Sequence, residues 1–168
     1  MELIFELFIY EFYNKELKSE YRVYAQQRLN WNLENGQKDI LPSMRMDTVL
    51  YGKNNNKTII IDTKYYPDYL KKSFYSEEDK KTLNSGNLYQ MNAYMNNINT
   101  DGELTGMLLY PMPYSENEIS EKYSIDVVSK GVVKKAILQI QTINLSNDWR
   151  YIRKELLSII ESADLITS

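Results

Sequence analysis

MRMDTVLYGKNNNKTIIIDTK, residues 44–64, decides the fold. Two apolar runs, 46–51 and 58–61, flank the segment Gly52-Lys53-Asn54-Asn55-Asn56-Lys57. Val, Ile, Thr and Tyr favour strands and a Gly/Asn cluster favours a turn, so the stretch reads as a β-hairpin. A symmetric loop sets Leu50 opposite Ile59 and Asp47 opposite Asp62. Two carboxylates then face each other across the hairpin, with Cβ atoms roughly 5 Å apart. Like charges so placed destabilise a sheet unless something neutralises them, and a divalent cation does. Side chains alternate along a strand, so Lys64 shares the face of Asp62 while Ile59, Ile61 and Thr63 point the other way. Two carboxylates and an ammonium in a row make a poor core and a candidate metal-dependent hydrolytic site. A salt-bridged surface row on a plain α/β interaction domain is the bland alternative.

Composition narrows the chemistry further. The chain has 168 residues, the length of one domain with a sizeable core, and we read residues 1–168 as a single unit. It contains no cysteine and no histidine. That excludes disulfides, thiolate metal sites, Cys nucleophiles, Ser-His-Asp catalysis and His-ligated zinc. A metal here must be held by oxygen, which points to Mg²⁺, Mn²⁺ or Ca²⁺. No apolar run approaches the ~20 residues that span a bilayer, and the N-terminus lacks the basic start of a signal peptide, so no membrane partner and a cytoplasmic location are expected. The net charge of −3 does not mark a nucleic-acid binder. Setting aside Asp47 and Asp62, however, the balance between Arg45 and Lys81 is positive, as suits either a phosphate-binding patch or a solvated loop.

Outward from the hairpin, residues 3–18 carry Ile4, Phe5, Phe8, Ile9 and Phe12 at helical spacing, with Glu6 and Glu11 on different flanks of that stripe. Residues 21–33 suit a strand or a helical extension, and Asn35-Gly36 marks a turn. Residues 65–82 read as a long surface loop containing Pro67. Asn84-Ser85 caps a helix from about Gly86 to Asn97, on which Gln90 and Tyr94 share one face beside an apolar stripe of Leu88, Met91 and Met95. A tyrosine there is more often core than catalytic. An inward-facing glutamine needs polar partners. Strands are predicted over 105–110, 123–128 and 136–144. A final helix begins at Asn147 or Asp148 and turns Trp149, Ile152, Leu156, Ile159, Ile160 and Ala163 inward. The layout is an α/β fold, a mixed sheet with a central β-hairpin flanked by helices.

Three motifs in this order carry a family resemblance: Leu41-Pro42-Ser43-Met44-Arg45-Met46-Asp47, then Ile59-Ile60-Ile61-Asp62-Thr63-Lys64, then Gln90-Met91-Asn92-Ala93-Tyr94. Together they resemble the PD-(D/E)xK nuclease superfamily, and its McrC type, the nuclease subunit of modified-cytosine restriction systems; the Gln-x-x-x-Tyr element also resembles RecB-type nucleases. The motifs span residues 3 to about 110, and Ile4-Phe5-Glu6 resembles the family's opening helix, whose glutamate faces the metal. Two departures stand out. Met46 precedes Asp47 where the superfamily name expects proline. The nuclease motifs also begin almost at Met1, where the McrC type has a large N-terminal half docked on an NTP-driven motor. No Gly-x-x-x-x-Gly-Lys-Ser/Thr loop occurs either. The chain is accordingly read as a fragment, a stand-alone RecB-like nuclease, or a piece whose docking half sits on another chain.

The resemblance implies a restriction-endonuclease-like fold and Mg²⁺-dependent hydrolysis of DNA phosphodiesters, with Mn²⁺ as a substitute. Asp47, Asp62 and the Thr63 carbonyl are then the metal ligands, and Lys64 orients the attacking water or stabilises phosphate charge. Glu6 acts through a metal-bound water, Gln90 holds a water or phosphate oxygen, and Tyr94 buttresses the helix or touches the cut strand. DNA and an McrB-like motor are the implied partners. A non-catalytic DNA clamp or subunit bridge on the same fold is the alternative.

Overall fold

The computed structural model describes residues 1–66, 70–72, 81–112 and 117–163. Three α-helices, α1 (Glu2–Glu16), α2 (Ser85–Asn97) and α3 (Trp149–Glu161), enclose a six-stranded sheet. Its strands are β1 (Tyr21–Leu29), β2 (Met44–Gly52), β3 (Lys57–Thr63), β6 (Glu103–Pro111), β8 (Val132–Ile143) and β7 (Ser120–Ser129), in that spatial order. Two short strands, β4 (Leu70–Lys72) and β5 (Lys81–Leu83), pair antiparallel in a separate sheet. The β3–β6 and β6–β8 ladders are parallel and the others antiparallel. This is the mixed α/β architecture expected of a restriction-endonuclease-like fold, with the β2–β3 hairpin inside the sheet.

The hairpin forms in the anticipated register. Leu50 pairs with Ile59, and the ladder runs from Tyr51↔Thr58 to Thr48↔Ile61, ending one position short of Asp47 and Asp62. The strand β3 then leads through α2 to β6, which lies parallel beside it, because a parallel neighbour needs a crossover. Burial on both faces explains the continuous apolar run of β3 and β6.

One core lies beneath α1 and α3. It joins Phe5, Ile9, Phe12 and Tyr13 to Leu50, Ile59, Ile61, Met107 and Leu109, and to Ile152, Leu156, Ile159 and Ile160. The Tyr13 hydroxyl donates to the Leu156 carbonyl at 3.0 Å, satisfying the one polar atom that this buried side chain brings inside. The opposite core lies beneath α2 and gathers Met46, Val49, Ile60, Leu108, Tyr110 and Ile140 around Met91, Tyr94 and Met95. The Asn84 side chain accepts from Gly86 N at 2.9 Å and caps α2 as expected, and Asp148 caps α3.

Some expectations fail here. Residues 65–82 are not simply a loop, since residues 70–72 and 81–83 pair as strands; Pro67 lies outside the described residues. Ile4 is 63% exposed and Trp149 51% exposed, so neither belongs to the core stripe. Tyr13 is buried instead, so the buried face of α1, Phe5, Ile9, Phe12 and Tyr13, is rotated away from Ile4 by a fraction of a turn. Trp149 instead packs edge-on against Phe8 and Phe12. Of the two readings of residues 21–33, the strand holds, over Tyr21–Leu29 as β1.

Gly106 sets how closely α2 approaches the sheet. A Cβ built there would meet Met95 Sδ at 2.4 Å and Met91 Sδ at 2.6 Å. A β-branched side chain must displace both methionines, and overpacking of this kind costs about 1–3 kcal/mol. Gly106→Val is therefore expected to lower the unfolding free energy by that amount in a urea titration. An unchanged midpoint would show that α2 is not held at this spacing.

Candidate active site

The hairpin, the residue after β3 and one face of α2 bring the candidate residues together. Asp62 is the last residue but one of β3 and is completely buried. Its Oδ2 lies 2.8 Å from Lys64 Nζ in an ion pair, and among the described residues neither carboxylate oxygen has any other hydrogen-bond partner. Asp47 reaches across from β2, and its Oδ2 accepts from Thr63 N at 2.9 Å and from Thr63 Oγ1 at 3.0 Å. Lys64 N donates to the Leu109 carbonyl, anchoring the backbone where β3 ends.

A chain of hydrogen bonds ties these groups to α2. Lys64 Nζ donates to Gln90 Oε1 at 3.0 Å, Gln90 Nε2 to the Tyr94 hydroxyl at 2.6 Å, and that hydroxyl to the Arg45 carbonyl at 2.7 Å. Gln90 is exposed rather than inward-facing, so its amide sits at the mouth of the site. Tyr94 is buried, and its hydroxyl spans from α2 to β2. Glu6 accepts a hydrogen bond from Gln26 Nε2 on β1 and is close enough to Asp47 and Lys64 to feel their charges. Glu11 lies elsewhere, on a groove with Phe8, Phe12, Lys15, Glu16 and Trp149. Of the two, Glu6 is thus the helix carboxylate that feels the charges of Asp47 and Lys64.

The electrostatics follow from burial. Asp62's pKa is pushed up to about 7, because desolvation outweighs the attraction of Lys64 while Asp47 adds repulsion. Asp47 is raised by burial, against the two hydrogen bonds from Thr63 that favour its charged form. Glu6 is raised by burial, partly offset by Gln26 and reinforced by Asp47. Burial opposes the charged form of Lys64, but Asp62 and Asp47 together hold its pKa above the ordinary value.

The donor set is all oxygen, the type that a hard divalent cation such as Mg²⁺ would need. Two neighbouring carboxylates are enough for an ion that keeps several of its waters, and here they share one lysine, so a cation would offset the negative charge that Lys64 leaves uncompensated. Among the described residues no three of His, Cys, Asp and Glu gather as a metal-binding group, so a fully protein-made cage is not on offer. Asp47 and Asp62 are the residues that would hold the ion.

Several participants carried no mark in the sequence reading. Arg45 contributes through its carbonyl, which composition cannot reveal. Gln26 sits in the stretch whose periodicity was ambiguous. Asn87, buried on α2, donates to the Tyr110 hydroxyl at 3.1 Å and accepts from the Tyr66 hydroxyl at 3.4 Å. Its signal was available: Asn87, Met91 and Met95 recur every four residues on the sheet-facing stripe.

A carboxylate whose folded pKa lies above its unfolded value contributes stability that is complete below about pH 4 and is lost as the pH rises through about 7. In EDTA the melting temperature is therefore expected to fall between pH 4 and 7. Asp62→Asn should flatten that decline, and Mg²⁺ should restore stability at pH 8 to the unsubstituted chain only. A decline of equal size in Asp62→Asn would show that this carboxylate is not the group responsible.

Residues 1–111 match the family model described as McrBC 5-methylcytosine restriction system component. The chain is also 28% identical, over 166 residues, to the type IV methyl-directed restriction enzyme EcoKMcrBC of Escherichia coli K12. That match covers 96% of this chain and 42% of the relative, so the chain spans less than half the relative's length. The family match takes in all three motifs and every residue of the site described above, and the chain belongs to the McrBC 5-methylcytosine restriction system component family.

Proposed function

We propose that this chain is the DNA-cleaving part of a McrBC-type modified-cytosine restriction system and hydrolyses phosphodiester bonds with Mg²⁺, or Mn²⁺ in its place. The observation that carries the reading is Asp62: a fully buried carboxylate whose only partner among the described residues is Lys64, with a second aspartate close by. A buried and a half-buried carboxylate sharing one lysine leave negative charge that a bound cation would neutralise.

When bound, the ion supplies a more acidic water and neutralises charge on the phosphate. The chain's residues divide the remaining work. Thr63 fixes Asp47 in orientation through two hydrogen bonds to one oxygen. Lys64, held by Asp62 and Gln90, places a point cation where the scissile phosphate gains charge, or orients the attacking water. Tyr94 keeps Gln90 in place by bracing α2 against Arg45. Glu6 orients a water at the edge of the pair, and the Thr63 carbonyl is a candidate further ligand.

DNA as substrate is supported by charge on the adjoining strands. Exposed Arg28 and Arg45 stand directly opposite each other on β1 and β2, and among the described residues neither forms a salt bridge. Cross-strand like charges repel, and a phosphate backbone relieves them. The motor partner and the recognition of modified cytosine rest on the family alone. No helix among the described residues is long and apolar enough to cross a membrane.

Incubation with supercoiled plasmid and Mg²⁺ or Mn²⁺, with and without EDTA, tests the reading. Lys64→Ala should slow nicking by on the order of 10²–10³-fold while retaining metal affinity by calorimetry. Asp62→Asn should lose both. Unchanged nicking by Asp62→Asn, or nicking insensitive to EDTA, would overturn the assignment. Glu6→Ala, and not Glu11→Ala, should raise the Mg²⁺ concentration needed for half-maximal nicking; equal effects would remove Glu6 from the site.

A further inference from the structure

Gln26 is anomalous in a way that the proposed chemistry has not used. It lies inside β1 with φ +50°, a left-handed conformation that residues other than glycine, asparagine and aspartate seldom adopt. Among the described residues the other non-glycine positions with positive φ are Asn56 and Lys130, which sit in the short connections of β2–β3 and β7–β8, where turns explain them. No turn explains Gln26.

Its place in the sheet supplies a reason. The β1–β2 ladder holds one register throughout, with Ala25↔Thr48 on one side and Gln27↔Met46 on the other, and omits only the position where Gln26 faces Asp47. The two cores reverse across this gap. Before it, Tyr21, Val23 and Leu50 pack beneath α1 and α3; after it, Leu29, Met44 and Met46 pack beneath α2. Tyr21, Val23 and Leu29 are all odd-numbered and Leu50, Met46 and Met44 all even-numbered, so simple alternation would keep each set on one face. Alternation holds only while the backbone stays extended, and a left-handed residue interrupts it without changing the register. The residue at the reversal on β2 is Asp47, whose carboxylate turns onto Thr63.

The side chain makes a second connection. Gln26 Nε2 donates to Glu6 on α1, and Gln26 Oε1 accepts from Arg45 Nη1 at 3.4 Å. A carboxamide serves both neighbours at once, since it donates to a carboxylate and accepts from a guanidinium. Glutamate in its place would repel Glu6, and lysine could not accept from Arg45.

We propose that Gln26 is a positioning residue of the site: its left-handed backbone turns Asp47 toward Asp62, and its carboxamide holds Glu6 beside them. The consequence for cleavage rests on the hydrolytic reading above, but the geometric claim does not.

Two substitutions separate the two roles. Glycine adopts φ +50° freely, so Gln26→Gly keeps the backbone and removes the amide; valine is β-branched and resists that conformation, so Gln26→Val removes both. The metal-free readout is hydrogen exchange of the Thr63 amide in EDTA, which reports its bond to Asp47. Gln26→Gly should keep the protection and Gln26→Val should lose it, while amides of β6 remain protected in both. With metal, Gln26→Val should weaken Mn²⁺ binding by on the order of tenfold or more, as loss of an orienting partner does. Gln26→Gly should raise the Mg²⁺ requirement for nicking as Glu6→Ala does, with no further rise in the double variant. Retained Thr63 protection in Gln26→Val would overturn the backbone role, and additive effects of Gln26→Gly and Glu6→Ala the side-chain role. Failure of the unsubstituted chain to bind Mn²⁺ would sink the hydrolytic reading, and the Thr63 amide would still decide the geometry.

Discussion

A carboxylate removed from water beside an ammonium governs the rest of this molecule. Asp62 sits at the end of a strand buried on both faces, so neither of its oxygens can be hydrated. Lys64 offsets part of that cost, and Asp47 adds to it. An arrangement of this kind lowers stability when nothing else is bound and creates affinity for whatever brings positive charge. The same residues that burden the fold are those that give it a chemistry.

The architecture exists to hold that imbalance in place. The β2–β3 hairpin sets the two aspartates near each other, and the parallel ladder to β6 fixes the backbone of Lys64 through the Leu109 carbonyl. The close approach of α2, permitted by Gly106, carries Gln90 and Tyr94 to the lysine and to the carbonyl of Arg45. From the opposite face of the sheet, α1 brings Glu6 to the edge of the pair. Elements from both layers thus converge on one end of β3, where irregular backbone and polar groups meet.

Much of this was legible in the sequence because the hairpin is locally determined. An asparagine-rich loop between β-branched runs leaves one symmetric pairing, and Leu50 opposite Ile59 followed from it. The Asn84 and Asp148 caps were equally readable, since a capping side chain acts within two residues of itself. What escaped depended on contacts between distant segments. Periodicity placed Ile4 inward, but packing of α1 against α3 selected Tyr13 instead. Gln90 was expected to be buried, yet the helix presents it at the opening, where it reaches Lys64. The face reversal at Gln26 and Asp47 was invisible because alternation assumes an extended backbone at every residue, and glutamine gives no compositional warning of a left-handed one. Pairing of residues 70–72 with 81–83 was hidden for a similar reason, as three-residue strands are too short to show a period.

On the reading proposed above, Asp47 and Asp62 jointly hold a divalent cation. Anomalous diffraction from a crystal soaked in Mn²⁺ measures it directly. A peak beside both the Asp47 and the Asp62 carboxylate is expected. No peak, with the two carboxylates turned apart into solvent, would contradict it.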